Sequence, residues 1–230
     1  MRGPLTREEF ATQAGRRHAE RDLYLSDHGF LRAIYDNAHE IAPGVFRSAQ
    51  PSPSRLKQWK ERGIKTVINL RGPKVSNILL LEESACKDIG LEHVPFRVFS
   101  REAPSADIIN GLDRLFDAVD RPFLMHCKSG ADRVGLASAL YLFLKEGVPL
   151  PDALQQLSLR YGHIKFGKTG VIDEAFREYQ SYAAENSLSL SDRTSFLEWV
   201  NGPYDHLKTK ERFRSNWIGD VLTEKILRRE

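Results

Sequence analysis

The 230-residue chain has only 2 cysteines, Cys86 and Cys127. That excludes a disulfide framework and a four-thiolate zinc site. Neither sign of charge dominates. Lys+Arg 34 against Asp+Glu 31 leaves +3, too weak a surplus to argue for a nucleic-acid partner. Long apolar runs are missing too. Ile78–Leu81 and Leu140–Leu144 fall far short of the roughly 18 residues a membrane span needs, so membrane contact is limited to the periphery. Residues 1–22 lack the apolar centre of a secretory signal. A cytoplasmic protein with both thiols reduced is therefore expected. What remains is ordinary globular composition, 41% hydrophobic and 28% charged. The length suits one core with appendages, and leaves oligomeric state undetermined.

Helical spacing predicts an extension over 1–40, with Phe10, Leu23, Phe30, Leu31, Ile34 and Tyr35 as its apolar positions. Short strands are expected at 40–42 and 45–47 around Pro43–Gly44. Ser52 and Pro53 read as an N-cap and a first helical residue. Strands are expected at 65–70, 91–99 and 122–126, and helices at 78–88 and 104–119. The helix at 133–145 is apolar nearly all round, and so should be central. Helices at 151–161 and 170–184, a serine-rich connection at 185–192, and a helical appendage carrying Phe196, Trp199, Phe213, Trp217, Ile218 and Leu222 complete the chain. The alternation from 45 to 146 argues for an α/β fold, a mainly parallel central sheet with helices on both faces. The expected division is an extension over 1–40, a central domain over 41–185 and an appendage over 186–230. Ligands of such sheets bind beyond the carboxyl ends of strands, which directs attention to the turn after 122–126.

That turn reads His126-Cys127-Lys128-Ser129-Gly130-Ala131-Asp132-Arg133-Val134-Gly135. The amides of Lys128 to Arg133 can wrap around a tetrahedral anion, with Gly130 supplying a positive φ. The following helix aims its positive end at the same point. Such surroundings lower a thiol pKa from about 8.5 toward the 3.5–7.5 range, and Cys127 sits at the base. Arg133 can grip two oxygens with its planar fork. HCKSGADRVG resembles the HCxxGxxR phosphate loop of the cysteine-based phosphatases, the protein-tyrosine and dual-specificity superfamily. Residues 45–70 are similar to the opening of its compact bacterial and atypical members, and the resemblance covers about 41–180. It implies that Cys127 attacks phosphorus to form a phosphocysteine, that Lys128, Ser129, Gly130, Ala131, Asp132 and Arg133 hold the phosphoryl group, and that water releases it. No metal and no cofactor are implied. The implied partner is a phosphorylated protein, small molecule or lipid head group.

Two positions depart from the family. Val134 stands where most members carry Ser or Thr to stabilise the departing thiolate, so the phosphoenzyme should break down slowly. No Asp stands just before Pro104, where the general acid is expected. Asp132, as in the myotubularin branch, and Glu102 are the candidate acids, whereas Asp107 falls in a first helical turn. Asp132 could equally pair with Arg71. His126 should tune the thiolate. Lys128 is similar to the start of the loop in phosphoinositide-active relatives. The basic stretch 160–170, with His163 and Lys165, would recruit anions, and Cys86 reads as a packed helical thiol. A weak acid favours leaving groups that depart easily, a phenol or an anhydride phosphate. The expected activity is that of a phosphotyrosine or dual-specificity phosphatase. The alternatives are a phosphoinositide, phospholipid or inositol-pyrophosphate phosphatase and, in another class, a phosphate-binding pseudophosphatase. Sulfur transfer fits the motif less well.

Overall fold

A computed structural model describes residues 4–27 and 35–215. Its centre is a five-stranded sheet in the order β1-β2-β5-β3-β4, where β1 is His39–Ala42, β2 Val45–Ser48, β3 Thr66–Asn69, β4 Glu92–Pro95 and β5 Phe123–His126. Only the β1–β2 pair is antiparallel; the other three pairings are parallel. Side chains alternate across the sheet, as a period of two requires. Val45, Ile68, Phe123 and Met125 join one core, and Val67 and Leu124 join the other.

Helices α3 (Pro53–Glu61) and α4 (Asn77–Asp88) cover the Leu124 face with Leu56, Trp59 and Cys86. Helices α5 (Ala106–Ala118), α6 (Asp132–Lys145), α8 (Val171–Glu185) and α9 (Arg193–Asn201) cover the other. The expected α/β architecture is therefore present. Ser52 caps α3 by accepting from the Arg55 amide at 3.3 Å, with Pro53 in its first turn. Within α6 every residue from Val134 to Leu144 is buried.

Three elements differ from the sequence reading. The run 151–161 is not one helix. It starts as α7 (Leu150–Ala153) and then breaks into single 3-10 turns at Leu154–Gln156 and Leu159–Tyr161. Leu157 (φ −104°, ψ 71°) and Ser158 (φ −140°, ψ 165°) leave helical conformation between these turns, and Arg47 donates to the Gln156 carbonyl at 3.0 Å beside the break. The strand expected at 91–99 pairs regularly only over Glu92–Pro95. Its partner β3 spans four residues, and Pro95 lacks an N–H, which a sheet tolerates at an edge. The extension is not helical to residue 40. Its described part carries α1 (Arg7–Ala11), α2 (Gln13–Arg21) and a π-helical turn at Asp22–Ser26, and residues 35–38, with Asn37 at φ +49°, form no regular element before β1 begins at His39. Phe30, Leu31, Ile34, Trp217, Ile218 and Leu222 lie outside the described residues. Residues 206–215 are helical, as expected of the appendage.

The extension docks on the outer side of α4. Phe10, Ala19 and Leu23 pack against Leu80 and Leu81. The Leu5 amide donates to Asn77 Oδ1 at 2.8 Å, and Arg7 pairs with Glu83 at 3.1 Å. Among the described residues no helix is long and apolar enough to cross a membrane.

Candidate active site

Residues 127–131 connect the end of β5 to the first turn of α6, and their backbone is turned inside out. The carbonyls point away from the loop's centre, each to a partner. Lys128 O accepts from the Gln50 amide at 3.2 Å. Ser129 O accepts from Asn37 Nδ2 at 3.2 Å, and Gly130 O from the same nitrogen at 2.9 Å. Gly130 O also accepts from Arg47 Nη2 at 2.7 Å, which reaches Ala131 O at 3.3 Å. Among the described residues, the amides of Lys128 to Arg133 donate to no backbone or side-chain acceptor. Ala131, at the N-cap, offers no capping side chain, so the α6 amides add to the same concavity. Gly130 has φ +73°, and a Cβ there would lie 2.8 Å from Ala49 N and 2.9 Å from Asn37 Nδ2. This position thus requires glycine for its backbone conformation and for space.

Cys127 is a free, buried thiol at the base of this ring. Arg133 is half-buried in the first turn of α6, and no carboxylate among the described residues pairs with it. Every neighbouring charge is engaged. Fully buried Arg47 spends its guanidinium on the loop carbonyls, on Gln156 Oε1 at 2.7 Å and on the Tyr161 ring at 4.1 Å. Burial pulls it down to about 10, opposed by the nearby Cys127 sulfur, so it stays cationic behind the nucleophile at neutral pH.

His126 points to the opposite face of the sheet. One ring nitrogen contacts the Cys127 carbonyl at 3.4 Å, and Nε2 lies against Glu82 of α4. Glu82 is buried, yet it accepts from Asn69 Nδ2 at 2.7 Å and Gln50 Nε2 at 3.1 Å, with His93 Nε2 at 3.6 Å. Burial opposes its ionisation, but the facing His126 and His93 outweigh that and hold the carboxyl far below its usual range. On the same helix, burial and then the Glu82 charge push the Cys86 thiol up to about 12, so it is a packed thiol and not a reactive one.

The candidate acids are both engaged. Asp132 does not meet Arg71. Its Oδ1 lies 2.8 Å from Nδ1 of fully buried His163, whose Nε2 lies 2.7 Å from Asp173 of α8. Burial disfavours the imidazolium, but the two carboxylates prevail and lift His163 to about 9, so both nitrogens donate. His163 therefore spends its charge inside the fold and not on incoming anions. Lys165 is exposed and sits 3.5 Å from Asp173. Glu102 pairs with Lys210 at 2.5 Å. Arg71 forks onto Asp27, a residue of the extension, at 2.9 and 3.1 Å, and donates to Gln50 Oε1 at 2.8 Å. Lys128 Nζ reaches the same Asp27 at 3.2 Å. Val134 is buried within the core, and Ser129 is exposed.

The structure thus brings Cys127, His126, the loop amides, Arg133 and Asp132 into one region, with Lys128 and Arg71 joined at its rim. The sequence reading missed Asn37, Arg47, Glu82 and Gln50. Arg47 alone left a trace, a charged residue in an otherwise buried strand.

The dual specificity protein phosphatase TpbA of Pseudomonas aeruginosa is 28% identical over 123 residues, 53% of each chain, in both strain PA14 and strain PAO1. The chain therefore spans about half the length of these curated relatives. Among solved structures, P. aeruginosa TpbA in complex with pTyr is 22% identical with a TM-score of 0.46, covering 55% of this chain and 75% of that one. Tk-PTP in its active form is 19% identical with a TM-score of 0.49, covering 63% and 98%. The family described as DSP-PTPase phosphatase fused to NAD+ kinase matches residues 32–170, from just before β1 through the loop to the start of α8, and the chain belongs to that family.

Proposed function

We propose that this chain hydrolyses phosphate monoesters through Cys127, without a metal. The observation that carries the reading is the inside-out loop: carbonyls tied outward by Asn37, Arg47 and Gln50, and the amides of 128–133 left without an acceptor among the described residues, available to an oxyanion. Arg133, without a carboxylate partner among the described residues, supplies two further donors. In this reading Cys127 Sγ forms a bond to phosphorus, the ester oxygen leaves with its electron pair, and the amides and guanidinium take up the charge on the equatorial oxygens. Water then attacks the phosphocysteine, phosphate departs and the thiolate returns. Buried cationic Arg47 and the Glu82–His126 pair orient the base of the loop. Both cysteines being free fits the reducing cytoplasm to which we assign the protein.

Asp132 acts as a positioning residue in this proposal. Its Oδ1 belongs to His163, and the Glu102 carboxylate to Lys210. The enzyme then favours leaving groups that depart without an acid, a tyrosine phenol or a phosphate anhydride, over serine and threonine alkoxides. Hydrolysis of p-nitrophenyl phosphate, blocked by vanadate and abolished in Cys127→Ser, is the expected result. No turnover by the wild-type protein, with vanadate still bound, would leave a phosphate-binding pseudophosphatase. Asp132→Asn should slow aryl and alkyl phosphates by the same factor. A loss much larger for alkyl phosphates would make Asp132 the acid.

A further inference from the structure

We infer that Lys128 and Arg71 form a second anion subsite beside the phosphate loop, which the chain's own Asp27 fills. The proposal rests on the phosphatase reading above and deepens it. The substrate class it names is a small phosphate monoester with a second phosphate or carboxylate close to the scissile group.

Three observations carry it. The first is convergence: Arg71 grips both Asp27 oxygens, at 2.9 and 3.1 Å, and Lys128 adds a third contact at 3.2 Å. A planar fork against two oxygens is equally the geometry of phosphate recognition. Gln50 Oε1 fixes the fork by accepting from Arg71 Nη1 at 2.8 Å, and the Gln50 amide holds the Lys128 carbonyl. Both cations are thereby registered to the loop.

The second is position. Lys128 directly follows Cys127, and Arg71 follows the end of β3, the strand paired with β5. An anion held between them lies beside the strand that leads into the loop. Lys128 is 40% exposed and Arg71 23%, so solvent reaches the pair.

The third is the seat of Asp27. It closes a π-helical turn, its amide donating to Asp22 O at 2.9 Å. Such turns are rare and concentrate at functional sites. Tyr24 and Leu25 in that turn are exposed, and a cavity of about 220 Å³ lies between the turn and residues 48–59. The turn is held at Leu23, which packs against α4, and is open on its Tyr24 and Leu25 side. Exchanging its carboxylate for a ligand's anion leaves neither cation unpaired.

The test compares kcat/KM for p-nitrophenyl phosphate, 1,2-phenylene bisphosphate and a phosphotyrosine peptide with acidic neighbours. The wild-type protein should prefer the bisphosphate to the monophosphate at least tenfold. Asp27→Asn, or Asp27→Ala if the first variant folds poorly by thermal melting, should widen that preference severalfold, because the internal competitor is gone. Arg71→Gln and Lys128→Met should erase it. Equal ratios in all variants would make Asp27 a strut and overturn the proposal. Preference for the acidic peptide over the bisphosphate would overturn the small-molecule class. If no substrate turns over, the hydrolase reading fails separately, and the subsite is read from calorimetric affinities. Pyrophosphate binding tighter than orthophosphate, with the difference lost in Arg71→Gln, supports it; equal affinities refute it.

Discussion

At the scale of single residues, the site's most constrained side chain is Arg47. It is charged, fully buried and shared between the loop carbonyls and Gln156. Lysine would keep the charge but cannot bond Gly130 and Gln156 together through a rigid fork. Arg47→Lys should therefore lower kcat/KM on p-nitrophenyl phosphate by about 100-fold, near 2.7 kcal/mol, as small misplacements of a catalytic constellation do. Circular dichroism should be retained; unaltered activity would count against the role. Val134 gives the second prediction. Its side chain is packed and carries no hydroxyl to stabilise a departing thiolate. Rapid mixing with an aryl phosphate should show a burst of phenol release, and Val134→Thr, nearly equal in volume, should remove it by speeding the second step. A linear start in the wild-type protein would refute slow phosphoenzyme breakdown.

At the scale of elements, the clasp Asp132–His163–Asp173 ties the first turn of α6 to the start of α8 through the turn after Leu159–Tyr161. Its strength depends on the imidazolium. The folded-state pKa of about 9 lies above the ordinary 6.5, so the folded protein holds a proton that the unfolded chain releases. The stabilisation is fully present below about pH 6.5 and is lost as pH rises through about 9. Urea denaturation at pH 6 and pH 10 should show the loss, on the order of 2–3 kcal/mol, and His163→Gln should flatten that difference.

Legibility in the sequence follows the range of the interactions. Ser52–Pro53, the all-apolar α6 and the turn with its positive-φ Gly130 between β5 and α6 are local patterns, and these elements could be read before any fold was known. Asn37, Arg47 and Glu82 could not, because their partners lie far away in the chain: Asn37 with Gly130, Arg47 with Gln156, Glu82 with Asn69 and His126. The misread helix at 151–161 lies beside one of these distant contacts, the bond from Arg47 of β2 to the Gln156 carbonyl.

At the scale of the molecule, α4 joins the extension to the nucleophile. Its outer side carries Leu80 and Leu81 under Phe10, and its inner side carries Glu82 against His126. Phe10→Ala should cost about 3 kcal/mol by opening a cavity in that small cluster. The loss should read as a lower melting temperature and faster proteolysis within residues 4–27. A variant as stable and as resistant as the wild type would show that the extension is not docked. The inside-out loop has a consequence for the chain during synthesis. Its scaffold comes from residues before the first strand, from β2 and from beyond α7, so the oxyanion cradle exists only once the chain has been made past Gln156 and folded. A chain stopped between residues 127 and 155 carries the cysteine without the full scaffold, and should hold no phosphate.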